Sequence, residues 1–129
     1  MPLLKLHIRK GRGREEVSTL LDTIHTVMLD SFEVPSRDRY QIVFEHEDSH
    51  FIALDTGLGY NRTERFLLLE VVSRPRPRRE KLAFYDGLSR ALWANCGIST
   101  SDLMVSFSEN RDEDWSFGQG VAQFVTGDL

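Results

Sequence analysis

Apolar residues in this 129-residue chain follow two periods, short extended runs and helical spacing, in an order that occurs twice. Residues 3–8 read as a strand. Residues 15–32 read as a helix, because Val17, Leu20, Leu21, Ile24, Met28 and Phe32 recur at helical spacing. Residues 40–44 return as a strand. The second copy runs through a strand at 66–72, a helix opened by Pro77 and closed at Gly97, and a strand at 104–107. Strand, helix, strand, twice over, predicts an α/β (α+β) fold of two tandem β-α-β units. Each is a right-handed crossover with parallel strands, and together they give a four-stranded sheet core with both helices on one face. The strand at 66–72, FLLLEVV, is apolar on both sides of the pleat, which predicts burial on both sheet faces. No other segment is long enough to cover the second face. Identical subunits are therefore expected to supply the cover, in an obligate oligomer.

Two stretches lie outside the repeats. Residues 45–65 join them, with a predicted short strand at 51–54 and the turn Asp55-Thr56-Gly57-Leu58-Gly59. Residues 109–129 place Trp115, Phe117, Phe124 and Leu129 around Gly118-Gln119-Gly120, a pattern that predicts a C-terminal hairpin carrying aromatic residues. Such a tail serves as a flap against the next subunit, as a pocket wall, or as both.

Composition narrows the class. The length suits a single domain over residues 1–129 with its own core. Sixteen Lys and Arg against 20 Asp and Glu leave a net charge of -4, which argues against a general nucleic-acid partner. Hydrophobic content is 40%, and no apolar run approaches the roughly 20 residues of a membrane span. No secretory leader is visible. Cys96 is the single cysteine and has no internal disulfide partner, so a reducing cytoplasm is the expected compartment.

The candidate chemistry starts at the terminus. Removal of Met1 would leave Pro2 as a secondary amine, and an α-amino group titrates much nearer neutrality than a lysine. Held in a pocket, that nitrogen can act as general acid, general base or iminium-forming nucleophile. A retained Met1 would make it an amide and abolish all three roles. Ser73-Arg74-Pro75-Arg76-Pro77 follows the most apolar strand, and its prolines stiffen the backbone between two arginines. Such a fork suits a bidentate hold on one carboxylate; the alternative is a solvated basic loop. The loop Arg9-Lys10-Gly11-Arg12-Gly13-Arg14 lacks a phosphate-loop pattern and reads as a solvated connection. Asp38, before the second strand, is a candidate for orienting water or tuning the amine, or else a turn cap. His7, His25, His46 and His50 lack metal-ligand spacing, no nucleophile-elbow signature occurs, and the run Asp112-Glu113-Asp114 reads as solvated.

Taken together and in order, these segments resemble the tautomerase superfamily, and within it the malonate semialdehyde decarboxylases. The likeness rests on Pro2, VPSRDRYQ (34–41), DTGLGY (55–60), SRPR (73–76), DWSFG (114–118) and TGDL (126–129), and it spans the chain. The resemblance implies a catalytic set of Pro2, Asp38, Arg74 and Arg76. It further implies a hydrophobic wall of Trp115, Phe117, Phe124 and Leu129, a homotrimer, a small oxo acid as substrate, and no metal or organic cofactor. The implied activity is decarboxylation of malonate semialdehyde, with hydration of acetylenic acids as a side reaction. Two alternatives stand beside it: keto-enol tautomerisation of a 2-oxo acid such as phenylpyruvate, and a non-enzymatic oligomeric binding protein on the same fold.

Overall fold

The computed structural model describes residues 2–129. The elements run β1 (Leu3–Arg9), α1 (Arg14–Phe32), β2 (Tyr40–His46), β3 (Leu67–Ser73), α2 (Arg78–Cys96), β4 (Leu103–Glu109) and a short α3 (Gln123–Thr126). The sheet order is β2-β1-β3-β4. β1 lies parallel to β2 and β3 parallel to β4, as crossover units require, while the central pair β1 and β3 is antiparallel. The two repeats thus meet head to tail in one sheet.

Alternation along the central strands decides which face carries the helices. Leu4, Leu6 and Ile8 of β1 and Leu67, Leu69 and Val71 of β3 are no more than 2% exposed, and they pack under Leu20, Ile24 and Met28 of α1 and Phe84, Leu88 and Leu92 of α2. The helices approach closely where Gly87 faces Val27; a Cβ at Gly87 would stand 3.2 Å from the valine Cγ1. Pro77 forms the N-cap of α2, and Gly97 ends that helix at φ 65°, a left-handed turn that glycine adopts without strain.

The opposite face is uncovered within the chain. Tyr40, Ile42 and Phe44 of β2 and Met104 of β4 are 38–47% exposed, and Leu68, Glu70 and Val72 of β3 are half-buried. The strand expected to be buried on both sides is therefore buried on one side by its own chain. His7 lies on the open face, stacked on Phe44 with ring centroids 4.7 Å apart. Its ring nitrogens meet His46 Nε2 at 2.9 Å and Glu70 Oε2 at 2.6 Å. Among the described residues no group of three or more His, Cys, Asp or Glu is placed to hold a metal ion. None of the helices is long and apolar enough to cross a membrane, again among the described residues.

Three expectations need correction. Residues 51–54 do not join the sheet, because side chains take the carbonyls that a ladder would use: Arg9 Nη2 donates to Phe51 O at 2.6 Å and Arg62 Nε to Leu54 O at 3.1 Å. The predicted C-terminal hairpin is reduced to one antiparallel bridge, Gly118 with Val121, before α3 begins. Gly118, Gln119 and Gly120 all have positive φ, and three such residues in a row turn the chain too tightly for strands to extend from it. The loop after β1 is not wholly solvated: the Arg12 side chain is 5% exposed, held by Arg65 O at 2.7 Å.

The central strands carry the stability of this arrangement. Leu69→Ala should cost about 2–5 kcal/mol in urea denaturation, as deletion of a fully buried leucine leaves a cavity between sheet and helices. A loss under about 1 kcal/mol would mean that the core collapses freely around β3.

Candidate active site

Register brings the two ends of the proposed chemistry together. Leu3 pairs with Val72 on one side and with Tyr40 on the other. One step earlier, the buried Pro2 stands at the level of Ser73, just before Arg74, and of Arg39, just after Asp38. Residues distant in sequence therefore converge at one end of the central strand pair.

Each arginine is held in a different way. Arg74 faces Asp112 in a two-point contact, Nε to Oδ1 at 2.6 Å and Nη2 to Oδ2 at 3.2 Å. Its Cζ lies 4.2 Å from the centroid of the Phe124 ring. Among the described residues no hydrogen bond engages its Nη1. Arg76 is more deeply set. Its Nε donates to Ser73 Oγ at 3.2 Å, its Nη1 to Phe32 O at 3.3 Å, and Glu80 lies 3.8 Å away. Its backbone N–H donates to Glu109 Oε2 at 3.0 Å, and Lys81 Nζ reaches the same oxygen at 3.0 Å. These two bonds, Lys81 first, hold the Glu109 carboxyl below its usual range. Burial holds the Arg76 guanidinium below the ordinary arginine range and the charge of Arg74 adds to the effect, while Glu80 and Asp38 act against it. Asp38 is thus within electrostatic reach of Arg76. Its backbone N–H closes a turn onto Pro35 O at 2.9 Å, a main-chain bond in which the carboxylate takes no part.

Aromatic residues form one side of this end. Trp115 and Phe117 stack at 5.5 Å with an interplanar angle of 10°, and Phe117 meets Phe124 edge-on at 5.4 Å. Phe124 in turn lies under Arg74, which joins the wall to the fork. Asn110 ties the wall to the strand exit, accepting Trp115 Nε1 at 2.7 Å and donating its own backbone N–H to Ser73 O at 2.9 Å. Gln123 braces the turn, with Oε1 accepting Phe117 N and Nε2 donating to Gly118 O, both at 2.9 Å. Leu129 is not brought into the wall: its backbone N–H reaches Gln123 O at 3.3 Å, but the residue is 63% exposed.

Three residues at this end carried no usable signal in the sequence. Asp112, expected to be solvated, is the partner of Arg74, 38 residues away, and Asp114 accepts Arg111 N at 2.8 Å to cap the local turn. Tyr40 opens β2 and brings its ring to 5.9 Å from Phe117. Nothing in an acidic run or a strand-initial tyrosine distinguishes such placements from a solvated surface.

Two β-α-β units joined in one four-stranded mixed sheet under two helices are the fold of the tautomerase superfamily. The chain belongs to it: the model of the family described as "Tautomerase enzyme" matches residues 38–118. A curated relative, "Probable tautomerase YrdN" of Bacillus subtilis (strain 168), is 49% identical over the full length of both chains. A crystal structure of malonate semialdehyde decarboxylase, described with decarboxylase and hydratase activities, matches at 48% identity and a TM-score of 0.97 over 98% of each chain. A second malonate semialdehyde decarboxylase, inhibited by 3-bromopropiolate, matches at 34% identity and a TM-score of 0.94, over 98% of this chain and 97% of the other.

The Asp112 contact predicts a positioning role that calorimetry with malonate can test. Asp112→Ala should weaken binding about two- to fivefold, the scale of a half-exposed ion pair, and Asp112→Asn should recover most of the loss. Tighter binding in both variants would mean instead that Asp112 competes with the ligand for Arg74.

Proposed function

We propose that this protein is a cofactor-independent decarboxylase that converts malonate semialdehyde (3-oxopropanoate) to acetaldehyde and carbon dioxide. The observation that carries this reading is the convergence of Pro2 with Arg74 and Arg76 beside an aromatic wall. Likeness to the two malonate semialdehyde decarboxylases supports it.

The chemistry follows from these groups. Decarboxylation needs the carboxylate turned out of the carbonyl plane and somewhere for the electron pair of the breaking C1–C2 bond to go. Arg74 and Arg76 hold the carboxylate and fix its torsion. With Met1 removed, a protonated Pro2 serves as the electron sink, donating a hydrogen bond to the aldehyde oxygen or condensing with the carbonyl to an iminium. The C1–C2 pair flows into the enol or enamine as carbon dioxide leaves, and a proton delivered to C2 completes acetaldehyde. Where an iminium has formed, water then hydrolyses it. The apolar side formed by Trp115, Phe117 and Phe124 disfavours the charged carboxylate relative to neutral carbon dioxide. Asp38 favours the charged amine, while the arginines oppose it. The same acidic proline, with a water oriented by Asp38, accounts for a hydratase side activity on acetylenic acids.

A second reading is favoured by the curated relative's name, a tautomerase: a neutral Pro2 would move the proton of a 2-oxo acid such as phenylpyruvate. The pH profile separates the two. An acid mechanism loses activity as pH rises through the Pro2 pKa, and a base mechanism gains it. Decarboxylation should fall on the alkaline side, Asp38→Asn should move that limb to lower pH, and protein retaining Met1 should be inactive. Phenylpyruvate ketonisation that outpaces decarboxylation and climbs with pH would replace the first reading with the second.

The clamp has its own test. Arg74→Ala and Arg76→Ala should each lower turnover of malonate semialdehyde by orders of magnitude, since loss of a charge-assisted contact at a reacting group costs about 2–4 kcal/mol. Wild-type rates in both would return the segment to a basic loop.

The assembly belongs to the same proposal: a cytoplasmic homotrimer in which neighbouring chains cover Tyr40, Ile42, Phe44 and Met104. A solved relative of the same fold, at 21% identity, is described as a symmetric trimer. Light scattering at micromolar concentration should give three chains per particle; a stable monomer would exclude it.

A further inference from the structure

The two β-α-β units correspond at a spacing of 64 residues. β1 begins at Leu3 and β3 at Leu67, α1 at Arg14 and α2 at Arg78, and both helices close on left-handed residues, Glu33 and Gly97. At this spacing Lys10 answers to Arg74, Arg12 to Arg76 and Glu16 to Glu80. Contacts follow the correspondence. Arg12 lies 3.1 Å from Glu16 and Arg76 lies 3.8 Å from Glu80, with 5% and 14% of the two arginine side chains exposed. Because β1 and β3 are antiparallel, the two strand exits lie at opposite ends of the sheet, one next to Pro2 and the other next to Phe66.

The exit next to Phe66 holds a cavity of about 220 Å³ lined by Arg9, Lys10, Arg12 and Arg65 with Glu16 and Glu64, four cations against two carboxylates. The buried Nε of Arg12 makes no hydrogen bond among the described residues, and neither does Glu16 Oε2, with which it forms an ion pair at 3.1 Å. α1 starts here from Gly13, which offers no side-chain cap to the N–H groups of the first turn. Burial first, then the charge of Arg65, hold the Arg12 guanidinium below its ordinary range. Glu16, 3.1 Å from Arg12 and 3.8 Å from Arg65, offsets part of that repulsion, and a bound anion facing the four cations of the cavity would relieve what remains.

We propose that this cavity is a second carboxylate-binding site, the counterpart of the Arg74 and Arg76 fork, with Arg12 and Arg65 as its ligating pair. It binds without turnover. The residue corresponding to Pro2 is Phe66, whose nitrogen is a backbone amide that donates to Thr63 O at 3.2 Å and cannot serve as an amine. The choice of a carboxylate over other small anions rests on the clamp reading of Arg74 and Arg76; the cavity and the unpartnered Nε do not.

Calorimetric titration of the full chain with malonate, and separately with inorganic phosphate, tests the site. The expected result is two malonates per chain, of which Arg12→Gln removes one while malonate semialdehyde turnover is unchanged, and Arg76→Ala removes the other. Arg65→Gln, at a half-exposed position, should weaken the same site as Arg12→Gln by about tenfold or more, and it keeps the test open if Arg12→Gln does not fold. A single malonate that survives Arg12→Gln and Arg65→Gln overturns the proposal, as does a second site that takes phosphate and excludes malonate. If Arg76→Ala spares both malonates while Arg12→Gln removes one, the second site stands and the clamp reading of Arg76 fails.

Discussion

From Leu3 opposite Val72 to His7 opposite Leu68, β1 runs antiparallel to β3, and this ladder sets where everything else lies. Each β-α-β unit taken alone is a parallel strand pair under one helix, with an apolar sheet face too small to bury itself. Joining the units through their first strands makes one four-stranded sheet under two helices and closes a continuous core from Leu4 to Ile98. The same ladder sends the end of β3 to the start of β1. Pro2 is thereby seated where β1 begins, with a neighbouring strand on either side, which would orient its nitrogen in the proposed chemistry.

The fork at that end is preorganised by unlike means. Arg74 is steered at the surface by a carboxylate and an aromatic face, contacts that are individually weak and geometrically specific. Arg76 is fixed by burial against Ser73, Phe32 and Glu80, at a cost in desolvation that its neighbours only partly offset. A guanidinium left short of partners in a half-buried setting has more to gain from an incoming carboxylate than one already satisfied in water. The prolines at 75 and 77 keep the segment out of α2, which begins only at Arg78.

Duplication explains why the other strand exit looks alike and cannot act alike. Equivalent arginines and equivalent glutamates recur 64 residues apart, although the turns that carry them differ, Gly11 standing at φ 127° where the second unit has Pro75. At the position that corresponds to Pro2 the second unit has Phe66, whose backbone amide donates to Thr63 O. The amine chemistry proposed for Pro2 has no counterpart there.

Local periodicity was enough to determine the repeats. Apolar spacing marked both helices and all four strands to within two residues of their ends, and Pro77 and Gly97 marked the limits of α2, because caps and one-sided burial act on residues close in sequence. The alternating arginines and prolines at 74–77 and the candidate amine at Pro2 were legible for the same reason, being local chemistry. What only the tertiary structure decided was which distant groups meet. The antiparallel join of β1 to β3 brings Pro2 to Ser73, and the parallel pairing of β3 with β4 brings Asp112 across 38 residues to Arg74. Tertiary contacts likewise decide that residues 51–54 stay outside the sheet, where Arg9 and Arg62 take carbonyls of Phe51 and Leu54, and that Leu129 is exposed. Such pairings depend on sheet order and register, which arise from packing of the whole chain and leave no periodic trace along it.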